Sequence, residues 1–305
     1  MPRRCALAVS AVVLVTTAQL VFLHAAPAPD SALSRIRETG RLTFGYRADA
    51  RPFSFRDDGG NAAGYSIALC RKIADQAKTE LQLPALMVRW IPVETANRFR
   101  AVQDGQVDLL CGADTVTLSR RTEVAFSIPI FPGGIGAMVR SDTSSRLRAV
   151  LEGHPQVFQP VWRAAATQLL QSRDFSVVSG TTAEAWLAGR MKELDVVAAV
   201  APVNSYGSGV QRLIDRRSDV LFGERAVLLE SAKRHGRDVD VLDRLFTYEP
   251  LALVLARGDE DFRGLVDRAL SKVYRSGEIG ELYTNSFGEP GESTLTFFRW
   301  NALPE

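Results

Sequence analysis

The sequence is poor in the side chains that most often carry chemistry. Its 305 residues include three cysteines and three histidines, at positions 5, 70 and 111 and at 24, 154 and 235. No subset has zinc-ligand spacing, and no histidine pair shares a helical face, so no bound metal is expected. No Ser-His-Asp or Cys-His set accompanies its motifs, which argues against nucleophilic catalysis and gives no reason to expect a cofactor. Charge of one sign is also lacking. Lys and Arg number 37 against 35 Asp and Glu, a formal net charge of +2. These charges lie in short segments of both signs, with no basic block to follow a phosphate backbone, so nucleic acid is excluded as an expected partner.

A composition that is 46% hydrophobic and 24% charged is enough for one large or two ordinary domains with real cores. The one long apolar run is at the start. Arg3 and Arg4 precede an apolar stretch from Ala6 to Leu23, and small residues and prolines follow from Ala25 to Pro29. That layout predicts a signal peptide over residues 1–28, cleaved on export to the periplasm; the run also approaches the length of a spanning anchor. Cys5 lies ahead of the apolar run and is unsuited to lipidation. After cleavage Cys70 and Cys111 remain, and an oxidising compartment allows a disulfide between them. Two buried free thiols fit the sequence equally, and the choice rests on whether the Cα atoms come within roughly 7 Å.

Beyond the leader, strands and helices alternate. Strands are expected at Arg41–Arg47, Met87–Ile91, Val107–Cys111 and Ile135–Val139, then at Phe175–Val178, Val196–Val200, Val220–Phe222 and Leu251–Ala256. Helices are expected at Tyr65–Ala77, Arg98–Gln103, Trp162–Gln171, Ala183–Leu194, Ser208–Asp215 and Phe262–Arg275. The fold class is therefore α/β, with mostly parallel sheets covered by helices. Pro129, Pro132 and the pair Gly133-Gly134 mark a crossing between two lobes. Lobe one is expected over 31–131 plus 249–305 and lobe two over 132–248. The aromatic tail with Phe297, Phe298 and Trp300 is expected to dock on its own protein.

Several motifs occur in a fixed order. Gly45-Tyr46-Arg47, Pro52-Phe53-Ser54-Phe55 and Gly64-Tyr65-Ser66-Ile67 open the series. Gly105-Gln106-Val107-Asp108, the run Cys111 to Arg120 and Phe126-Ser127-Ile128-Pro129 follow. Gly180-Thr181-Thr182, the stretch Asp219 to Ala226, Tyr248-Glu249-Pro250, Ser276-Gly277-Glu278-Ile279 and Phe287-Gly288 complete it. Together they resemble the family 3 bacterial extracellular solute-binding proteins, the periplasmic receptors of polar amino acid ABC transporters. The resemblance implies two lobes of the type II periplasmic-binding-protein-like fold, joined by two hinge strands and closing around a ligand.

It also assigns roles. An amino acid offers a carboxylate and an ammonium, and neither is buried cheaply without a partner. Arg120 matches the arginine that grips the α-carboxylate, with Thr115 adding a hydroxyl and Ala113 a backbone group. Thr181 and Thr182, between a strand and a helix, offer backbone N–H groups to the same carboxylate. Glu224 stands where the family places an aspartate for the ammonium, one methylene longer. Arg47 matches a position from which acidic amino acid binders reach a second carboxylate. Arg98 is an additional cation and Phe53 an additional wall, each with a structural alternative, a surface salt bridge for the first and core packing for the second.

The expected activity is thus non-enzymatic capture of a free polar amino acid, an acidic one if Arg47 meets its side chain, by a monomer that delivers it to an inner-membrane permease. Two alternatives differ in class. Cyclohexadienyl dehydratases share this fold, and a raised pKa at Glu224 is one mark of that reading. A ligand-loaded sensor docking on a membrane receptor is the other.

Overall fold

A computed structural model describes residues 31–153 and 163–304. The expected signal peptide lies outside the described residues, as do Trp162 and His154. The chain opens with α1 (Ala32–Thr39), β1 (Arg41–Tyr46), the short strands β2 (Asp49–Ala50), β3 (Ser54–Arg56) and β4 (Ala62–Ala63), and α2 (Tyr65–Glu80). Next come β5 (Met87–Pro92), α3 (Arg98–Gln103), β6 (Leu109–Thr115), β7 (Ala125–Phe126), β8 (Phe131–Gly133) and β9 (Ile135–Arg140). The middle of the chain holds α4 (Ser145–Glu152), α5 (Arg163–Gln171), β10 (Asp174–Val178), α6 (Thr182–Glu193), β11 (Ala199–Val203) and α7 (Tyr206–Ile214). The rest is β12 (Val220–Glu224), α8 (Arg225–His235), β13 (Val239–Val241), β14 (Glu249–Leu255), α9 (Glu260–Ser276), α10 (Glu278–Phe287) and α11 (Glu292–Asn301). None of the described helices is long and apolar enough to cross a membrane.

Two sheets organise these elements. The first runs β5-β1-β6-β14-β7, with β8 also on β14; the second runs β11-β10-β12-β9-β13. In each, three strands are parallel and the fourth is antiparallel. The sheets are therefore mixed, with a run of three parallel strands in each. The reason is the crossing: β9 enters the second sheet and β14 re-enters the first from the opposite half, so neither comes through a helical crossover that would make it parallel.

Apolar periodicity explains what each element buries. On α2, Ile67, Cys70, Ile73, Ala74 and Ala77 form one stripe, packed with Leu265, Leu270 and Val273 of α9 against Phe44 and Leu109 of the first sheet. The opposite face meets Ala101 and Val102 of α3. In the second sheet Phe175, Val177 and Phe222 face Leu187 of α6 and Leu151 of α4, while α7 and α8 cover the other side. Cys70 of α2 and Cys111 of β6 are joined in a disulfide, with Cα atoms 6.2 Å apart. Phe298 of α11 is buried against Tyr274 of α9, so the aromatic tail docks on the chain itself.

The crossing is tight. Residues 131–133 of β8 pair antiparallel with residues 249–251 of β14. A Cβ on Gly134 would lie 2.1 Å from the Thr247 carbonyl oxygen, which is why only glycine fits where the two connecting segments touch.

Candidate functional site

The C-terminal ends of the parallel strands in both sheets face one another, the usual place for a ligand in open α/β sheets. Between them lies a cavity of about 40 Å³. The first half contributes Arg47 after β1, Arg98 at the start of α3, Ala113, Asp114 and Thr115 at the end of β6, Arg120 beyond it and Leu251 of β14. The second contributes Ile135 of β9, Thr181, Thr182 and Ala183 at the start of α6, Tyr206 at the start of α7, and Glu224 at the end of β12. The seven residues assigned from the sequence and the additional cation Arg98 all line this space.

Phe53 does not. It is buried among Tyr65, Phe131 and Phe287, with ring centroids 6.3, 4.9 and 5.3 Å away. The expectation of a ligand wall is corrected to core packing, since an edge-to-face aromatic cluster buries the whole ring.

The three arginines differ in what already holds them. Arg47 donates from Nε and Nη2 to Oδ1 of Asp49, at 3.1 and 2.8 Å, and lies 5.9 Å from the Tyr206 ring centroid. Arg98 is a buried ion-pair partner rather than a surface one: its Nε donates to Asp114 Oδ1 at 2.6 Å, Nη1 to the Thr95 carbonyl, and Nη2 to the Gly180 carbonyl at 3.2 Å. Arg120 donates from Nη1 to the Thr115 carbonyl at 2.9 Å and from Nη2 to the Gly180 carbonyl at 3.3 Å. Among the described residues it makes no carboxylate ion pair. Burial and the neighbouring Arg98 hold its guanidinium below the ordinary value, with Asp114 and Glu249 opposing.

Across the cavity, Thr181 is the N-cap of α6, but its hydroxyl donates to the Val178 carbonyl at 2.7 Å instead of capping. The first amides of α6 are thus left without a side-chain cap. The Thr182 hydroxyl donates to Glu249 Oε2 at 2.8 Å, and the Thr115 hydroxyl donates to the same oxygen at 2.8 Å. One carboxylate from the start of β14 therefore gathers a threonine from each half.

Glu224 accepts from the Gly134 N–H through Oε2 at 3.1 Å and from the Ala226 N–H through Oε1 at 3.3 Å. Burial pushes its carboxyl up to about 8, and nearby Glu249 adds to the rise against those backbone bonds. Burial likewise pushes the Tyr206 hydroxyl up to about 12.

Sequence reasoning missed Asp114, Tyr206 and Glu249 as members of this neighbourhood. Asp114 sat inside a quoted motif, and Glu249 in the triplet Tyr248-Glu249-Pro250, yet nothing in residue type said that either would face the cleft. The strand alternation of β6 was the available signal, since at a strand tip both faces border the same opening. Among the described residues no group of three His, Cys, Asp or Glu side chains could hold a metal ion.

Comparison with known proteins places this architecture. The L-glutamate/L-aspartate-binding protein of Pseudomonas aeruginosa is 28% identical over 284 residues, 91% of this chain and 88% of that one. The glutamate/aspartate import solute-binding protein of Escherichia coli K12 is 28% identical over 268 residues, 87% of this chain and 82% of that one. The crystal structure of a cysteine-binding protein from Campylobacter jejuni superposes with a TM-score of 0.70 at 21% identity, covering 88% of this chain and 98% of that one. The likeness to that structure carries the two-sheet fold. With the family profile matching residues 42–289, the chain belongs to the bacterial extracellular solute-binding proteins, family 3.

Proposed function

We propose that this chain is the periplasmic amino acid-binding component of an ABC importer. It captures one free polar amino acid between lobe one, 31–131 plus 249–305, and lobe two, 132–248, and delivers it as a monomer to an inner-membrane permease. Residues 1–28 direct export and are cleaved. Relatives named for glutamate and aspartate binding support an amino acid as the cargo.

The observation that carries the reading is Arg120. A half-buried guanidinium with carbonyl partners but, among the described residues, no carboxylate ion pair is poorly compensated, and a ligand carboxylate repays that cost with paired hydrogen bonds. The uncapped amides of α6 face the same point from the other half. Glu224 is the partner for the ammonium: the rise of its carboxyl to about 8, which the dehydratase alternative also calls for, is accounted for by burial, and the group ionises when a cation arrives beside it. Contacts made to both halves at once are what shift the population toward closure.

Thermal shift and calorimetry of the mature protein against the twenty amino acids test this. At least one should raise the melting temperature in proportion to its saturation. Absence of stabilisation by any of them would remove the proposal. Co-purification with the permease tests the delivery step separately.

A further inference from the structure

The pairing pattern around the cavity bears on which amino acid fits, given the amino acid reading above. A ligand carboxylate needs a cation that is not already neutralised. Arg47 is held by Asp49, and the pair is well sheltered on the arginine side, 9% exposed against 34% for the aspartate. Arg98 is held by Asp114 in a pair that is 4% and 6% exposed. Among the described residues Arg120 alone of the three cavity arginines lacks such a partner, so the cleft offers one place for an anionic group, and the α-carboxylate takes it. A second carboxylate on the ligand side chain would meet two guanidiniums that already have counter-ions.

Asp114 adds a positive requirement. Only Oδ1 is used by Arg98; Oδ2 is buried and, among the described residues, accepts no hydrogen bond. It lies over Gly112, where a Cβ would stand 2.7 Å from it, so the glycine leaves the oxygen its room. A buried carboxylate oxygen without a donor leaves its lost hydration uncompensated, the more so when charged. Asp114 also lines the cavity, so a donor supplied by the ligand can satisfy it. A purely structural salt bridge would more simply use both oxygens on the fork of Arg98.

We infer that the bound amino acid carries a hydrogen-bond-donating side chain, an amide or a basic group, held by the free oxygen of Asp114, and that the cleft selects against acidic side chains. Asp114 is therefore a specificity-determining residue of the site, and Arg98 is its positioning partner rather than a ligand cation.

Calorimetry of the full mature protein with glutamine, asparagine, arginine, lysine, glutamate and aspartate separates the possibilities. Glutamine or arginine should bind at least about tenfold more tightly than glutamate. Glutamate or aspartate binding as tightly as the best donor-bearing amino acid overturns this inference and leaves the amino acid reading standing. Failure of all six to bind while another amino acid raises the melting temperature overturns the inference alone, and failure of all twenty removes both. Asp114→Asn releases Arg98 from its counter-ion and should narrow or reverse the glutamine-to-glutamate ratio. An equal loss for every ligand would assign Asp114 to scaffolding and overturn the selectivity role. If that variant does not fold by circular dichroism, Asp49→Asn applies the same test at Arg47, with a gain in glutamate affinity expected and an unchanged ratio counting against the inference.

Discussion

The two halves meet the cavity with different chemistry. In the first, the strand tips present Arg47, Arg98 and Arg120 with Asp114 among them; in the second, equivalent tips present the start of α6, Tyr206 and Glu224. The strand order is the same in both sheets, so the difference comes from the loops and not from the framework. The first half also carries the disulfide between α2 and β6, and that covalent tie anchors the strand bearing Ala113, Asp114 and Thr115. A fixed, charged half and a half that answers with backbone amides suit stepwise capture. On the proposed reading the carboxylate would dock first at Arg120, and closure would add the remaining donors.

The largest test of this asymmetry is the disulfide. Replacing Cys70 and Cys111 with serine releases a loop spanning 41 residues and should lower stability by about 4 kcal/mol on a chain-entropy model. Denaturant unfolding would measure it, and hydrogen exchange should show lost protection in α2 and β6 while β10 and β12 keep theirs. Equal losses in both sheets would erase the distinction between the halves.

Arg120→Ala should weaken amino acid binding by about 3 kcal/mol, roughly a hundredfold, because it strips the partner from a buried anion. Calorimetry that finds affinity retained would count against the whole site. A smaller effect is expected of Glu249→Gln. Loss of the charged acceptor shared by Thr115 and Thr182 should cost about 1.5 kcal/mol of contact between the halves. Small-angle scattering of the ligand-free protein should then show a larger radius of gyration.

The gentlest probe is pH. Glu224 is shifted upward in the folded protein, from 4.5 to about 8. Folding of the ligand-free form is therefore favoured by protonation at this site. The contribution is fully present below pH 4.5 and is lost as pH rises through about 8. Melting temperatures across that range should fall less in Glu224→Gln than in the parent, and saturating ligand should flatten the parent's profile.

Much of the fold was legible because its elements obey simple periods. The helix at Arg98–Gln103 begins and ends where its spacing placed it, and β9 begins at Ile135 as expected. The strand expected at Val196–Val200 instead forms at Ala199–Val203. The strand includes Pro202, whose missing N–H is tolerated because β11 is an edge strand. Helix α8 was not foreseen because it buries little beyond Val227 and Leu228, too thin a stripe to stand out. In the site, the family resemblance pointed to several of the lining residues and passed over Asp114 and Tyr206, and the pairings among them were not legible. Whether an arginine faces a ligand or an aspartate depends on contacts between segments far apart in sequence, as with Arg98 and Asp114.

The paired connecting segments at 131–133 and 249–251 have a mechanical consequence. Two backbones laced side by side form a strap that flexes across its width and resists sliding along its length. The halves can then part by swinging like a book about its spine, and they return in register. That is how residues as far apart as Thr115 and Thr182 can find the same carboxylate oxygen each time the molecule shuts.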